Sequence, residues 1–121
     1  DKVHKMGLRD KILFWEGKND VGALMQAMDV FLLPSKFEGL GVVAVEAQAS
    51  GLKVFASDRV PKEVTSTENI AFLPIDNESI WVDEILNIQN FNRKDESESI
   101  IRSGYEIKDI AKTVENLYLN L

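Results

Sequence analysis

Four short, unbroken apolar runs constrain the fold of this chain more than any other feature: residues 12–15 (ILFW), 30–33 (VFLL), 54–56 (VFA) and 71–73 (AFL). Each is about strand length, with Gly, Pro, Asp or Asn near its ends. A strand with one wet face alternates apolar and polar residues. A run that is apolar at every position suits a strand covered on both faces, as in a parallel sheet.

Helical spacing fills the stretches between the runs. Asn19-Asp20 is placed to cap a helix over 21–28, where Leu24, Ala27 and Met28 share a face. Gly41 opens an apolar segment over 42–49, and Gly51 closes it, glycine being the usual residue just past a helix. Pro61 suits the first turn of a shorter helix, with Glu63 favoured at its start by the helix dipole. Ser79 is a candidate cap for a helix reaching Asn90, and the acidic run Asp95-Glu96-Ser97-Glu98 reads as the solvated start of another. The last segment, 107–120, is amphipathic: Ile107, Ile110, Ala111, Val114, Leu117 and Tyr118 fall on one side. Alternating strands and helices predict an α/β fold, a parallel sheet flanked by helices. Residues 1–6 read as the tail of a helix ending near Gly7 with no strand before it. A doubly wound sheet rarely begins that way, so the expectation is a single domain over 1–121 that is incomplete at its N-terminus.

Charge and composition narrow the function. The net charge is −6, which argues against a nucleic-acid partner, since such domains usually carry a basic face. An acidic domain that binds a diphosphate must do so locally, with backbone groups and helix ends. There are no cysteines, so disulfides, thiolate metal sites and a cysteine nucleophile are excluded. His4, the single histidine, reads as an exposed bystander and lends a zinc site little support.

The chemistry concentrates in residues 33–51, LPSKFEGLGVVAVEAQASG. A buried strand ends at Pro34, a loop carries Glu38-Gly39-Leu40-Gly41, and a nearly all-apolar helix follows. Ligands of open α/β sheets sit beyond the carboxyl ends of the strands. A glycine loop feeding a helix N-terminus offers unpaired N–H donors and the positive end of a dipole to a phosphate. Glu46 stands out within the helix. A carboxylate among Val42, Val43, Ala44, Val45, Ala47 and Ala49 is expected to need donors, and the vicinal diol of a ribose supplies two. The residues alone leave two readings open: a phosphate site, or a glycine turn followed by a solvated glutamate. Neither the dinucleotide fingerprint nor a Walker-type Gly-Lys-Ser/Thr is present.

The string EGLGVVAVE, with seven residues between Glu38 and Glu46, resembles the E-x7-E motif of family 4 retaining glycosyltransferases. AMDVFLLPSKFEGLG is similar to that family's approach to the motif, and VEAQASGLKVFASD to its exit. DRVPKEV followed by IAFLPID resembles a capsule- and exopolysaccharide-type subgroup, and the likeness extends to the closing SGYEIKDIAKTVENLYLNL. The resemblance implies a Rossmann-like C-terminal lobe of the two-lobed GT-B fold. It implies that Glu46 holds ribose hydroxyls and that Glu38 lies beside the donor sugar as the catalytic carboxylate. It also implies that the backbone of Gly39, Leu40, Gly41, Val42 and Val43 binds sugar hydroxyls and phosphates.

By the same resemblance no metal or cofactor is needed. A nucleotide-sugar, most commonly a UDP-sugar among relatives, is the donor substrate, and residues 15–18 lie where relatives approach the base. The acceptor is a surface glycan or glycolipid bound by an N-terminal lobe. That lobe, and a basic pair upstream, are expected to lie outside this chain, which is therefore expected to be inactive alone. A cytoplasmic location follows, with peripheral association of the full-length protein at the inner face of the membrane.

Many relatives have Pro where this chain has Gly41 and Lys53; Gly41 adds an N–H donor that Pro lacks. Ser35 lies in the same loop, where bonding to local backbone is an equal expectation. Asp29 is read as a turn residue, Asp58 as a border of the donor pocket, and Trp81, Tyr105 and Tyr118 as core or interlobe packing. Two rivals remain: an epimerase or phosphorylase on the same architecture, and a non-catalytic binding or interaction domain.

Overall fold

A computed structural model describes residues 2–17 and 20–120. Its centre is a three-stranded parallel sheet in the order β1 (Val30–Leu33), β2 (Lys53–Ser57), β3 (Ile70–Leu73). The register pairs Leu33 with Ala56 and Ala56 with Phe72, so all three carboxyl ends lie along one edge. Among the described residues six α-helices accompany it: α1 (Lys2–Lys5), α2 (Val21–Gln26), α3 (Val42–Ala49), α4 (Glu78–Leu86), α5 (Ser97–Arg102) and α6 (Ile107–Leu119). The expected α/β architecture, Rossmann-like and with a fully parallel sheet, is what forms.

The central strand shows why an unbroken apolar run was needed. Successive side chains of a strand point to opposite faces. Val54 and Ala56 face a core built with Met25, Ala44, Val45, Ala47, Leu52, Val60 and Val64, with Ile100 and Tyr105 packed against it. Phe55 faces the other way, into a cluster with Leu73 and Trp81 of α4. Both faces are therefore covered, and burial of Phe55 alone contributes about 2 kcal/mol. The Trp81 indole N–H donates to the Pro74 carbonyl at 2.8 Å, so its one polar group is satisfied.

Several sequence expectations need correction. Residues 12–15 form no strand; they are exposed, with Leu13 at 80% and Trp15 at 60% of full accessibility. No described strand lies beside them, and an apolar segment without a ladder partner cannot bury two faces. Around Pro61 there is one 3-10 turn, Lys62–Val64, in place of a helix. Pro61 itself stays extended at ψ 136°, and the Val64 carbonyl is taken by the Gln48 side chain.

The helix expected from Ser79 to Asn90 is α4, which starts after Asn77 and stops at Leu86; the Ser79 hydroxyl donates to Asn77 Oδ1. Asn90 adopts a left-handed conformation at φ 54°, which no continuing helix permits. Helix α2 is shorter than expected, ending at Gln26, and Asp20 caps it by accepting from the Ala23 N–H at 2.9 Å. The Asn19 part of that expectation falls outside the described residues. Asp95 lies just before α5, where the Ser97 hydroxyl and N–H donate to it and hold its carboxyl below the ordinary value of 3.8. The apolar side of α6 forms as expected but is exposed, most of all at Ile107, Leu117 and Tyr118. Tyr118 is therefore not a core residue here.

Candidate functional site

The loop after β1 and the N-terminus of α3 lie together on the carboxyl edge of the sheet. Gly41 is the residue preceding α3, held at φ 80° and ψ 41°. That left-handed conformation favours glycine, and proline, locked near −65°, cannot take it. No side chain caps α3, and Ala44 N–H turns back to the Gly41 carbonyl at 2.9 Å. The N–H groups of Val42 and Val43, in the first turn, are left without intrahelical partners.

Leu40 and Val42 are exposed, Val43 is half-buried, and Gly41 lies buried beneath them. A side chain at Gly39 would meet open space, so the backbone there is accessible from outside. Residues 39–43 thus run from accessible Gly39, across buried Gly41, into the positive end of α3.

The two carboxylates differ in setting. Glu38 is half-buried, and its Oε1 accepts a 2.6 Å hydrogen bond from the Ser35 hydroxyl. Ser35 therefore bonds a carboxylate through its side chain, and its carbonyl accepts from the hydroxyl of buried Ser57 at the end of β2. Glu46 is exposed, contrary to the burial expected from its apolar neighbours. Helix α3 turns Val42, Glu46 and Ala49 outward at helical spacing, while Ala44, Val45, Ala47 and Gln48 face the core. Glu46 consequently needs no internal partner. It stands one turn beyond Val42 on the same outer face, accessible to a ligand lying along the helix start.

The buried polar residue of α3 is Gln48, which sequence reasoning passed over. It has no exposed surface, donates to the Ala44 and Val64 carbonyls at 2.9 and 2.8 Å, and accepts from the N–H groups of Ser66 and Thr67 at 3.0 Å. It thereby ties α3 to the 64–67 loop. Arg93 was missed as well. Its guanidinium donates to the carbonyls of Met25, Gln26, Met28 and Ser50, closing the C-terminal ends of α2 and α3 from 43 or more residues away in the chain.

Asp58 also lies at the carboxyl edge. Its carboxylate accepts from the Ile75 N–H at 3.3 Å and lies 3.8 Å from Arg59, so it ties the segment after β2 to the segment after β3. Trp15 leans over Gly17, where a Cβ would come 2.3 Å from its indole nitrogen. Lys18, expected beside it, is outside the described residues. Asp29 and His4 are exposed.

A wide groove lies elsewhere. An open groove of about 1020 Å³ runs along the amino ends of β2 and β3, lined by Lys53, Thr67, Asn69, Asn87 and Lys94 among others. It contains none of residues 38–46. At the carboxyl edge, by contrast, the uncapped start of α3, the accessible Gly39 backbone and the carboxylates Glu38 and Glu46 follow one another along the chain.

Comparison with known proteins adds an independent line. The profile of a family described as "Glycosyl transferases group 1" matches residues 1–90. The chain is similar to a putative glycosyltransferase, EpsF, of Bacillus subtilis (strain 168), 30% identical over 98% of this chain and 32% of that protein. It is also similar to the UDP-Gal:alpha-D-GlcNAc-diphosphoundecaprenol alpha-1,3-galactosyltransferase of Escherichia coli, 27% identical over 96% of this chain and 32% of that enzyme. A shorter likeness, 42% over 46% of this chain and 15% of the relative, is to the lipopolysaccharide glucosyltransferase WaaG of Escherichia coli (strain K12). This chain spans about a third of the length of the first two relatives. No solved structure matches it.

Proposed function

Because the chain belongs to the Glycosyl transferases group 1 family, we propose that it is the donor-binding part of a retaining family 4 enzyme of GT-B fold, with Glu38 and Glu46 as its E-x7-E pair. The donor is a nucleotide-diphosphate sugar. Its diphosphate lies against the N–H groups of residues 39–43, where fixed donors and the helix dipole stabilise charge on the leaving group. Glu46 accepts hydrogen bonds from the ribose hydroxyls, and Glu38 lies beside the sugar, where its negative charge stabilises positive charge developing at the anomeric carbon. The sugar passes to a polysaccharide or glycolipid acceptor, whose choice belongs to parts of the parent protein beyond this chain.

One observation carries this reading: the uncapped start of α3 and the outward-facing Glu46 share one accessible face at the carboxyl edge. An acidic chain of net charge −6 has no general field to attract a diphosphate, so such a local device is what binding would require. No described helix is long and apolar enough to cross a membrane.

Ligand-observed NMR with UDP, GDP and ADP tests the reading. One of the three is expected to bind, and Glu46→Ala to weaken it by a charge-assisted hydrogen bond, about 1.5–3 kcal/mol or roughly 10- to 150-fold. Equal affinity of wild type and variant would remove Glu46 from the ribose site. If the full-length protein binds none of the three, a non-catalytic domain becomes the better description.

A further inference from the structure

Glu38 is held from within its own loop. The Ser35 hydroxyl donates to Oε1 at 2.6 Å, while among the described residues nothing donates to Oε2. Ser35 is in turn fixed through its carbonyl, which accepts from the Ser57 hydroxyl. Ser57 is fully buried at the end of the central strand, and its oxygen also accepts the Arg59 N–H at 3.2 Å. The register Leu33↔Ala56 explains the meeting, since it brings the segment just past β1 beside Ser57, the last residue of β2. Between Ser35 and Glu38 the loop has no other anchor of this kind: Lys36 and Phe37 are exposed, Phe37 at 87%.

We propose that Ser35 is a positioning residue that presets the Glu38 carboxylate, leaving Oε2 to meet the donor sugar, with Ser57 anchoring Ser35 to the sheet. This rests on the donor-site reading above and adds to it the group that orients its catalytic carboxylate. A glutamate side chain has three rotatable bonds, and a reacting group fixed before the substrate arrives loses none of its effect to that freedom. A short hydrogen bond to an ionised acceptor is the strong kind, able to select one rotamer. The bond to Oε1 also fixes which oxygen is left over, because the two carboxylate oxygens cannot exchange places without breaking it.

The test uses the full-length protein and the release of nucleoside diphosphate from UDP-glucose, UDP-galactose, GDP-mannose and ADP-glucose. With the best of these donors, Ser35→Ala is expected to lower kcat about 10-fold, the effect of losing one such hydrogen bond in the transition state. Affinity for the free nucleotide should stay within about 2-fold, since Glu38 faces the sugar. Ser35→Thr keeps the hydroxyl and is expected to restore most of the rate. In a Glu38→Ala background, Ser35→Ala should cost nothing further.

An equal loss in that background would show Ser35 acting apart from Glu38 and overturn the proposal. A parallel fall in nucleotide affinity would make Ser35 a loop-shaping residue and overturn it as well. Unchanged turnover in Glu38→Ala alone, or no release by wild type from any donor, would instead sink the donor-site reading itself.

Discussion

Replacing Gln48 by methionine should destabilise the protein by about 2–3 kcal/mol, although methionine matches the length and shape of glutamine. Gln48 is fully buried and saturated: two N–H groups donate to Ala44 and Val64, and one oxygen accepts from Ser66, Thr67 and the Thr67 hydroxyl. Not all of these partners suffer equally. Ala44 keeps its place in the α3 ladder, and the Thr67 hydroxyl still serves the Asn69 N–H at 3.1 Å. The Ser66 and Thr67 N–H groups are stranded, and Val64 keeps only a 3.3 Å bond from Ser66. Each of the two stranded N–H groups costs about 1.5–2 kcal/mol, and burying a thioether in place of an amide offsets about 1 kcal/mol of the sum.

Urea unfolding followed by circular dichroism reads the change. With a slope near ~1.5 kcal/mol/M the midpoint should fall by about 1.5–2 M. Gln48→Glu adds a check on sign. Its carboxyl, buried and facing two carbonyls, should have a raised folded-state pKa. The variant is then most stable below the ordinary glutamate range near ~4.3 and loses stability as the pH rises above it. A midpoint shift under about 0.5 M for Gln48→Met would refute the claim that this side chain holds α3 to the 64–67 loop.

Two further substitutions probe the same scaffold. Gly51→Ala should cost at least ~2 kcal/mol, because Gly51 sits at φ 71° and a Cβ would come 2.5 Å from the Lys94 carbonyl; a thermal midpoint lowered by less than a few degrees would count against this packing. Arg93→Met should cost about 1–2 kcal/mol by uncapping four carbonyls that water can partly reach, and hydrogen exchange should rise selectively at the C-terminal ends of α2 and α3.

The sheet was legible because burial on both faces leaves a local mark. An unbroken apolar run ending at Pro34 or before Asp58 needs no partner to be recognised, and α3 was bracketed by Gly41 and Gly51. The run at 12–15 carries the same mark without the ladder, since pairing is a property of other segments and not of the run itself. The exchange between Glu46 and Gln48 has a different origin. Helix α3 is apolar almost all round, so its composition barely says which side faces out. The spacing of Val42, Glu46 and Ala49 does contain the answer, but only if the outer face is allowed to hold apolar residues. Arg93 left no local signal at all: a lone arginine in a polar stretch gains its role from carbonyls that folding brings to it. The bond between Ser35 and Glu38 is short in sequence, yet its anchor, Ser57, lies 22 residues away from Ser35.

The most direct test of the central claim is a crystal structure of the full-length protein with its tightest-binding nucleoside diphosphate. The account predicts phosphate oxygens within hydrogen-bonding distance of the backbone N–H groups between Gly39 and Val43, and ribose hydroxyls on the Glu46 carboxylate. A nucleotide seated instead in the groove at the amino ends of β2 and β3, away from both glutamates, would contradict it.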